Sequence, residues 1–436
     1  MSTLTRRHLL GITAAAGLGS LAACTGATAP ATQSTPTSVA TGPIDGTGKK
    51  LRFFTYEAVQ TVDMVKAVLA DYDKKYGSTT TVDNLPGSGA AVYPDKLRTE
   101  LLGGSGPDVW RIWGGQIGAP YAKAKQSLDL SAYAKKYGWG DKVNAQALKA
   151  MNFYGMQAGA PYLMRGLGGW YNKAVLTKAG VSAPPTTYDE LEAMNDKVVA
   201  TGVTPLATGG KYGWHVMRLF EYLLEVTAGP ELHDKLLDGS ESWDRKEVTD
   251  AFGLFKKWQD KKWLPNGVLG LDPADIEPSY VQGTSAYTIT GAWTEVNAIQ
   301  SAKADTANFG NFILPTPHSV KRHSGFVEGL MINARSANPD LAAQLIDFFI
   351  SPESQKAMKV SSSTVKGAEP SATDYPLSVD WLKKSGANPF YVIQDQAFPK
   401  KEADGYFAIQ SDVLQGTTAP ADAAKKMQAI IAAWQK

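Results

Sequence analysis

From Lys50 onward, the sequence alternates short runs of β-forming residues with longer stretches whose apolar residues recur at helical spacing. Residues 51–55 predict a first strand, and the apolar spacing from 62 to 76 predicts a helix that ends at Gly77. The next predicted elements are a strand at 79–82, a helix at 93–102 and a strand at 109–113. Strand–helix–strand repetition predicts the α/β class, with parallel sheets covered by helices on both faces.

Later segments carry start signals for helices. Thr187, followed three residues later by Glu190, predicts a capping box. Pro339 stands where the first residue of a helix tolerates proline. The buried faces predicted for these two helices and for a last, C-terminal helix are Leu191, Met194 and Val198; Leu341, Leu345, Ile346, Phe348 and Phe349; and Met427, Ile430, Ile431 and Trp434.

Length and charge limit the classes of function. Even without residues 1–23, the chain exceeds the roughly 250–300 residues at which a single core stops growing, so we expect two domains. Removing those residues takes away Arg6 and Arg7, which leaves equal numbers of basic and acidic residues and a formally neutral chain. A neutral chain without a basic run argues against nucleic acid, and against an electrostatic membrane patch, as a partner.

The N-terminus predicts an export signal, because Arg6 and Arg7 precede an uncharged stretch from Leu9 to Ala23. That stretch is too short and too rich in glycine to span a bilayer, which needs roughly 20 apolar residues, so we expect it to be cleaved. The arginine pair resembles a twin-arginine signal, and residues 21–24 resemble a lipobox that directs lipidation of Cys24. The general secretory route and an incidental cysteine are the alternatives.

Cys24 is the only cysteine, so the chain cannot form an internal disulfide. Residues 24–49 are dominated by Ala, Thr, Ser, Gly and Pro without apolar periodicity, which predicts a flexible tether. A tether of this length has an r.m.s. span of roughly 25–30 Å. We therefore expect an extracytoplasmic protein, held to the outer face of the cell membrane by a lipid on Cys24.

Signatures of catalysis and metal binding are sparse. The histidines that remain after cleavage are His215, His233, His318 and His323, and they lack metal-ligand spacing. No zinc, Cys–His or phosphate-binding pattern is present, so we predict no catalytic residue, no metal site and no cofactor. Four carboxylates could serve a glycoside hydrolase if they converge, and an ordinary solvated surface is the alternative for each: Glu57, Asp108, Glu295 and Glu328.

Tryptophan is the residue type that says most about a ligand, and the chain has eleven. Four of them stand beside glycines or turns, where periodicity does not predict a core position: Trp113, Trp170, Trp214 and Trp293. Aromatic rings next to such backbone suit stacking on the apolar face of a pyranose. By contrast, Trp258, Trp263 and Trp434 are predicted to be packing residues.

A series of short motifs in fixed order resembles the family-1 extracellular solute-binding proteins, the group that includes maltose-binding protein. The motifs are Gly106-Pro107-Asp108-Val109, Tyr171-Asn172-Lys173, Ala179-Gly180-Val181, Pro184-Pro185, Ile289-Thr290-Gly291-Ala292-Trp293, Ile332-Asn333-Ala334, Phe348 to Gln355, and Leu414 to Thr418. The resemblance covers essentially all of residues 50–436.

The resemblance implies two α/β lobes in a periplasmic-binding-protein-like fold, with a ligand cleft between them and hinge closure on binding. It places one lobe at 50–163 plus 315–350 and the other at 164–313 plus 353–436, with the first crossing near residues 161–164. It also implies a monomer that captures a carbohydrate, expected to be an oligosaccharide, and delivers it to the permease subunits of an ABC transporter. No enzymatic activity is implied.

The family's cleft positions fall on nine residues of this chain: Glu57, Trp113, Gln116, Arg165, Tyr212, Trp214, Trp293, Phe326 and Tyr406. Maltose-binding protein carries an acidic residue where this sequence has Gln116, and another where it has Arg165, which argues against maltose as the ligand. Glu328 is expected to be a solvated turn residue if it has no role in the cleft. A secreted glycosidase, and a binding protein for a peptide or polyol, are the competing hypotheses.

Overall fold

A computed structural model of the protein describes residues 39–86 and 89–435. The predicted export signal and the predicted lipidation site at Cys24 lie outside those residues. The strands are β1 Lys50–Thr55, β2 Thr79–Asn84, β3 Val109–Trp113, β4 Asn152–Phe153, β5 Met156–Gln157, β6 Ala160–Gly166, β7 Gly168–Asn172, β8 Thr204–Leu206, β9 Ser285–Thr290, β10 Phe309–Phe312, β11 His323–Ile332 and β12 Phe390–Val392.

The helices alternate with these strands along most of the chain. They are α1 Val59–Tyr76, α2 Gly89–Leu102, α3 Gly115–Lys123, α4 Ser131–Tyr137, α5 Trp139–Lys142, α6 Ala145–Ala150, α7 Lys173–Lys178, α8 Tyr188–Ala200, α9 Trp214–Leu237, α10 Lys246–Asp260, α11 Pro273–Ile276, α12 Ser279–Gln282, α13 Pro339–Phe349, α14 Pro352–Ala357, α15 Pro376–Gly386, α16 Gln394–Ala397, α17 Lys400–Gln415 and α18 Pro420–Trp434. Among the described residues, no helix is both long and apolar enough to cross a membrane.

Local signals in the sequence place several of these elements correctly. Helix α1 ends at Gly77, whose positive φ of 78° lets its N–H bond the carbonyl of Asp73. The capping box at the start of α8 is present, with Thr187 and Glu190 bonding each other's backbone. Pro339 opens α13 as predicted. The predicted apolar faces are buried, except that Phe348, Ile430 and Trp434 are half-buried.

The first sheet is mixed and centres on β11. Its strand order is β12-β11-β3-β1-β2, and β6 also pairs with β11. Strands β2 and β3 run parallel to β1, as the sequence predicts. Strand β11 runs antiparallel to both β3 and β6, because the chain returns to this sheet from another part of the molecule. The expectation of purely parallel sheets is therefore wrong for this sheet.

The second sheet has the order β10-β7-β9-β8 and is also mixed. Strand β7 runs antiparallel to β10 and to β9, and β8 runs parallel to β9. Separate sets of buried side chains surround the two sheets. The protein thus has two α/β lobes, each built around its own sheet.

The chain first passes between the sheets at a single residue, Leu167. Strand β6 stays paired with β11 as far as Gly166, which lies opposite Gly325. Strand β7 then begins at Gly168 in the other sheet. The predicted crossing near residues 161–164 is therefore too early by a few residues, because those residues are still held in the β6–β11 ladder.

The segment after α14 does not pack as the predicted lobe boundary implies. Met358, Val365 and Ala368 are buried with the side chains of the first lobe. Strand β12 joins the first sheet beside β11. The two cores thus share residues 353–436, which the sequence assigned wholly to the second lobe.

The predicted tether is shorter than the sequence indicates, because its last residues dock on the first lobe. Ile44 exchanges two hydrogen bonds with the side chain of Gln344, at 2.6 and 3.0 Å. The N–H of Gly46 bonds the carbonyl of Tyr76 at 2.7 Å. Residues 44–49 are therefore part of the folded lobe, and the expectation that they are flexible is wrong.

Candidate ligand-binding cleft

A cavity of about 1190 Å³ lies between the two sheets and is lined by residues of both lobes. Eight of the nine cleft residues inferred from the sequence line it: Glu57, Trp113, Gln116, Arg165, Tyr212, Trp214, Trp293 and Phe326. They come from the ends of β1, β3 and β6, from α3 and β11, from the start of α9 and from the loop after β9. The structure thus brings together residues that are far apart in sequence.

The register of the first sheet explains why its cleft residues share a face. Trp113 of β3 lies opposite Glu328 of β11, and Phe326 of β11 lies opposite Arg165 of β6. Residues directly opposite in a sheet point to the same face, and so do residues two apart along a strand. Arg111, two residues before Trp113, therefore joins the same face. Its position in the cleft wall follows from this alternation.

Arg111 is buried at the centre of a charged network on that face. Its Nη1 lies 2.5 Å from Oε1 of Glu57, and its Nε donates to Oε2 of Glu328 at 2.8 Å. The other carboxylate oxygen of Glu328 lies 3.2 Å from Nε of Arg165. Two carboxylates and two guanidinium groups therefore balance each other within the first lobe.

Glu328 is 3 % exposed and lies in the middle of β11. The expectation of a solvated turn residue is wrong for Glu328. The sequence alone marked Glu328 as a candidate carboxylate but did not indicate its burial, because a single Glu in an apolar run has no periodic signal of its own. Its partner, Arg111, was missed for the same reason.

Aromatic rings pack against this network. Tyr56 and Trp113 stack with their ring centres 4.0 Å apart and their planes 17° apart. The guanidinium carbon of Arg111 lies 4.1 Å from the centre of the Tyr56 ring. A cation over an aromatic face is electrostatically favourable, so the rings stabilise the buried charge while still lining the cavity.

Trp293 is half-buried and faces the first lobe. The guanidinium of Arg165 lies 4.8 Å from its ring centre, and the ring of Phe326 lies 5.9 Å away. The Trp293 ring folds back over Gly291, where an added Cβ would come within 2.0 Å of it. Glycine is therefore required at position 291 to make room for the ring.

The second lobe supplies an aromatic and charged wall. Trp214 is the first residue of α9, and Arg218 follows it by one turn. The Arg218 guanidinium lies 4.7 Å from the Trp214 ring centre and 5.7 Å from that of Trp293. Tyr212 donates to Oδ2 of Asp272 at 3.2 Å. The helical spacing of Trp214 and Arg218 thus brings their side chains together at the cleft.

Arg218 is surrounded by carboxyl groups. Burial raises the pKa of Glu277, and the positive charge of Arg218 and hydrogen bonds from threonine hydroxyls oppose that rise. Burial raises the pKa of Asp395 to about 6, again against the influence of Arg218. Both carboxyl groups line the cavity. Neither carboxyl group lies in a recognisable motif, so the sequence analysis did not identify them as cleft residues.

Tyr406 does not reach the cleft, contrary to the inference from the sequence. It is fully buried, its ring packs 5.6 Å from that of Phe220, and its hydroxyl bonds Gln394. The next residue, Phe407, lines the cavity instead. Trp170 is also a core residue, fully buried beside Trp381, although it follows two glycines.

Two further tryptophans and two of the four candidate carboxylates have structural roles outside the cavity. Trp258 and Trp263 are core residues, as predicted. Asp108 accepts hydrogen bonds from the N–H of Arg52 and the hydroxyl of Ser336, away from the cavity. Glu295 is buried and accepts from backbone N–H groups at the start of α15. Of the four carboxylates, Glu57 and Glu328 are the two that converge, and Arg111 lies between them.

A second buried network lies behind the cleft and joins α9 to the segments that cross between the lobes. Arg322, just before β11, forms a double hydrogen bond with Glu225 at 2.9 and 2.8 Å. Glu225 also lies 2.6 Å from Nδ1 of His233. One turn earlier on α9, Glu221 accepts the N–H of Gln394 at 3.0 Å. The segment before β11 and the segment after β12 are thus both tied to α9.

The two glutamates of this network titrate in opposite directions. Burial raises the pKa of Glu221 from 4.5 to about 8, although hydrogen bonds from Ser324 and Gln394 partly oppose it. Burial also disfavours the charge of Glu225, but hydrogen bonds from His233 and Arg322 outweigh it and hold its pKa at about 2. At neutral pH, Glu225 is therefore ionised while Glu221 is largely protonated.

No group of three or more His, Cys, Asp or Glu side chains arranged to hold a metal ion occurs within residues 39–86 and 89–435. The cleft offers hydrogen bonding, from its charged side chains, and stacking, from its aromatic rings.

Comparison with known proteins gives a consistent result. The family model for bacterial extracellular solute-binding proteins matches residues 58–356. An uncharacterised ABC transporter extracellular-binding protein of Pyrococcus horikoshii is 23% identical over 85% of this chain and 83% of its own length. A probable sugar-binding periplasmic protein of Mesorhizobium japonicum is 26% identical over 66% of this chain and 68% of its own length.

A solved structure of a chitin oligosaccharide binding protein has the same fold. It superimposes with a TM-score of 0.80 at 23% identity, over 88% of this chain and 98% of the other. This similarity supports the two-lobed arrangement described above.

The raised pKa of Glu221 predicts that folding stability changes with pH. A carboxyl that ionises near 8 when folded, and near 4.5 when unfolded, stabilises the protein below about pH 4.5. That contribution is lost as the pH rises toward 8, by up to about 1.4 kcal/mol per pH unit. Glu221→Gln should therefore flatten the fall in unfolding free energy between pH 5 and 8, measured by denaturant titration.

Glu231→Gln is the matched control, because Glu231 lies in the last turns of α9, beyond the break at Gly229, and its side chain is 87% exposed. The control should keep the wild-type pH profile. Parallel profiles for wild type and Glu221→Gln would contradict the assignment.

Proposed function

The chain belongs to the bacterial extracellular solute-binding proteins, and on that premise we propose that it captures a carbohydrate, an oligosaccharide in particular, for an ABC importer. The observation that carries this proposal is the cleft itself, which combines aromatic rings with charges that already balance each other. The ligand is released to the permease subunits without chemical change.

The charge balance favours a neutral ligand. On the first lobe, Glu57 and Glu328 are paired with Arg111 and Arg165. On the second lobe, Arg218 lies among carboxyl groups. A charged ligand would leave one of these groups without compensation, and that is costly in a buried site. Neutral hydroxyls, by contrast, both donate and accept hydrogen bonds, and so fit charged groups of either sign.

The aromatic rings and the size of the cavity favour a sugar over a small polyol. Trp113, Trp214 and Trp293 all line the cavity and are half-buried, so each offers apolar surface to a ligand. The rings of a sugar have apolar faces that stack on such surfaces. A volume of about 1190 Å³ lies above the roughly 300–1,000 Å³ of ordinary small-molecule pockets, which favours more than one sugar unit.

The relatives support the same class of ligand. The Mesorhizobium japonicum relative is described as a probable sugar-binding protein, and the solved structural relative binds chitin oligosaccharide. We propose a carbohydrate for this chain on the same basis, without assigning the sugar unit. The relatives are ABC-transporter and periplasmic binding proteins, which supports an extracytoplasmic location.

We propose that binding closes the two lobes by bending at the crossing segments. We assign 50–166 and 315–350 to one lobe and 168–313 to the other, with the first crossing at Leu167, while 353–436 contributes to both. Leu167 and the segments tied to α9 through Glu221 and Arg322 are the connections that bend or pivot. The protein acts as a monomer and needs no metal or cofactor for this role.

A glycosidase is the competing function, because Glu57 and Glu328 converge in the cleft. General acid catalysis needs a carboxyl that keeps its proton, opposed by a second carboxylate that is free to react. Both carboxylates are instead bonded to the same guanidinium, that of Arg111. We therefore propose binding without turnover.

The purified protein should bind one oligosaccharide per chain, with a Kd of roughly 1 µM, or about −8 kcal/mol. Calorimetry against chitin, xylan and raffinose-type oligosaccharides would measure the Kd, and chromatography of the recovered sugar would show that the sugar is intact.

Arg111→Met is an informative variant, because it breaks the first-lobe network and should weaken binding. Cleavage of the bound sugar by the wild type would refute the proposal.

Trp293→Ala should weaken oligosaccharide binding by roughly 2 kcal/mol, about thirtyfold, because it removes half-buried aromatic surface from the cleft. Trp258→Ala is the matched control, since Trp258 is a fully buried core residue. The control should lose about 3–5 kcal/mol of folding stability but keep its affinity. If Trp293→Ala loses only stability, Trp293 is a packing residue.

We also propose that a lipid on Cys24 anchors the protein, after export by the twin-arginine route. This rests on the sequence of the N-terminus. Cys24→Ala should move the protein from the membrane fraction into the medium, with sugar affinity unchanged, while Thr25→Ala should stay membrane-bound. Immunoblots of the two fractions measure this. Wild-type membrane retention of Cys24→Ala would rule out the anchor.

A further inference from the structure

Several cavity-lining side chains carry a buried polar atom that has no hydrogen-bond partner in the described protein. They are the hydroxyl of Tyr56, Nε of Arg218, Oδ1 of Asn297 and Oδ1 of Asp395. A buried donor or acceptor without a partner costs folding free energy, and native proteins leave few of them. In a binding cleft, such atoms indicate where a ligand supplies the missing partner.

Arg218 and Asp395 form the most informative pair. Arg218 comes from the second lobe, where Nη1 is fixed by a hydrogen bond to the carbonyl of Ile289 at 2.9 Å. That bond holds the guanidinium in place near the ring of Trp214. Its Nε proton, however, has no acceptor. Arg218 is 6 % exposed, so water does not readily supply one.

Asp395 lies on α16, in the segment that follows β12 of the first sheet. The preceding residue, Gln394, is tied by its N–H to Glu221 on the same helix as Arg218. Asp395 lines the same cavity as Arg218, and the charge of each affects the ionisation of the other. The two side chains nevertheless do not hydrogen-bond through Arg218 Nε or Asp395 Oδ1.

An unpaired donor and an unpaired acceptor that line the same cavity suit one kind of ligand group. A hydroxyl can accept from the first and donate to the second at the same time. An ether oxygen cannot donate, and a deoxy carbon can do neither. Both hydrogen bonds would be charge-assisted, and so stronger than bonds between neutral groups.

We propose that Arg218 and Asp395 together bind one hydroxyl of the sugar, with Arg218 Nε donating to its oxygen and Asp395 Oδ1 accepting its proton. This inference rests on the proposed carbohydrate ligand and names a specificity determinant within it. Asp395 belongs to a segment that crosses between the lobes. The same contact therefore connects ligand binding to the position of that segment.

The test combines protein variants with modified ligands. Wild-type protein is first titrated calorimetrically with diacetylchitobiose, xylobiose, raffinose and galactose, and the tightest binder becomes the probe. Asp395→Ala should weaken binding of that probe about tenfold or more, because the hydroxyl loses a charged acceptor. Asp395→Asn keeps the shape and a neutral acceptor, so it should lose less.

Direct contact has a signature that a structural effect lacks. One monodeoxy form of the probe, which lacks the bound hydroxyl, should bind wild type and Asp395→Ala equally well. Every other monodeoxy form should still show the tenfold difference. Arg218→Lys keeps the charge but removes Nε. The same monodeoxy form should bind this variant and wild type equally well.

Asp347→Asn is the matched control for removal of a partly buried carboxylate. Asp347 accepts from Trp139 and Lys142 in the first lobe and does not line the cavity. This variant should keep wild-type affinity even if it melts earlier. Where Asp395→Ala fails to fold, Asp395→Asn and Arg218→Lys provide the comparison.

Unchanged affinity in the folded Asp395 variants overturns the inference while the carbohydrate proposal stands. Equal losses for all monodeoxy probes overturn it too, since they indicate a general disturbance of the cleft. If wild-type protein binds none of the four sugars or longer oligomers of them, the proposed function fails, and the hydroxyl assignment fails with it.

Discussion

The buried guanidinium of Arg111 is the interaction on which the cleft depends. It lies between Glu57 and Glu328, and Glu328 in turn holds Arg165. Arg111 and Glu328 lie in the middle of β3 and β11, Arg165 lies near the end of β6 and Glu57 follows β1, so the network fixes the relative positions of four strands at the cleft. A buried charge network is stable only while each member is paired. Removal of any one of them would leave a charge uncompensated at the floor of the cavity.

The second network, around Glu221, Glu225 and Arg322, plays a comparable part behind the cleft. It ties α9 of the second lobe to the start of β11 and to the segment after β12. Along the chain, the first of these segments enters the first sheet and the second leaves it. The helix that carries Trp214 and Arg218 into the cleft is therefore the helix that holds the crossing segments. A ligand that displaces Arg218 would therefore also shift α9 and, through it, the segments before β11 and after β12.

Features decided by local sequence could be predicted, and those decided by distant contacts could not. Gly77, the Thr187–Glu190 pair and Pro339 act within one helical turn, and the structure confirms all of them. The first crossing was placed too early, because the end of β6 is set by its pairing with β11, far along the chain. The docking of residues 44–49 depends on Gln344, which is equally distant in sequence.

The same distinction applies to the site. Family positions identified eight cavity-lining residues, but Tyr406 was wrong and its neighbour Phe407 lines the cavity. Consecutive residues on a helix point about 100° apart. An error of one position therefore selects a core residue in place of the neighbouring cleft residue. Arg111 was not found, because a charged residue in a short apolar strand shows its role only when its partners are in place.

The arrangement of charges also bears on how the lobes move. The ion pairs of Arg111 and Arg165 lie within the first lobe, and Arg218 interacts with Glu277 within the second. Across the cleft, Arg165 and Phe326 instead contact the ring of Trp293. A cation–π contact contributes about 0.5–2 kcal/mol, much less than a broken buried ion pair costs. If the lobes move as proposed, they separate without exposing an unpaired charge, and a ligand of moderate affinity would suffice to shift the equilibrium toward closure.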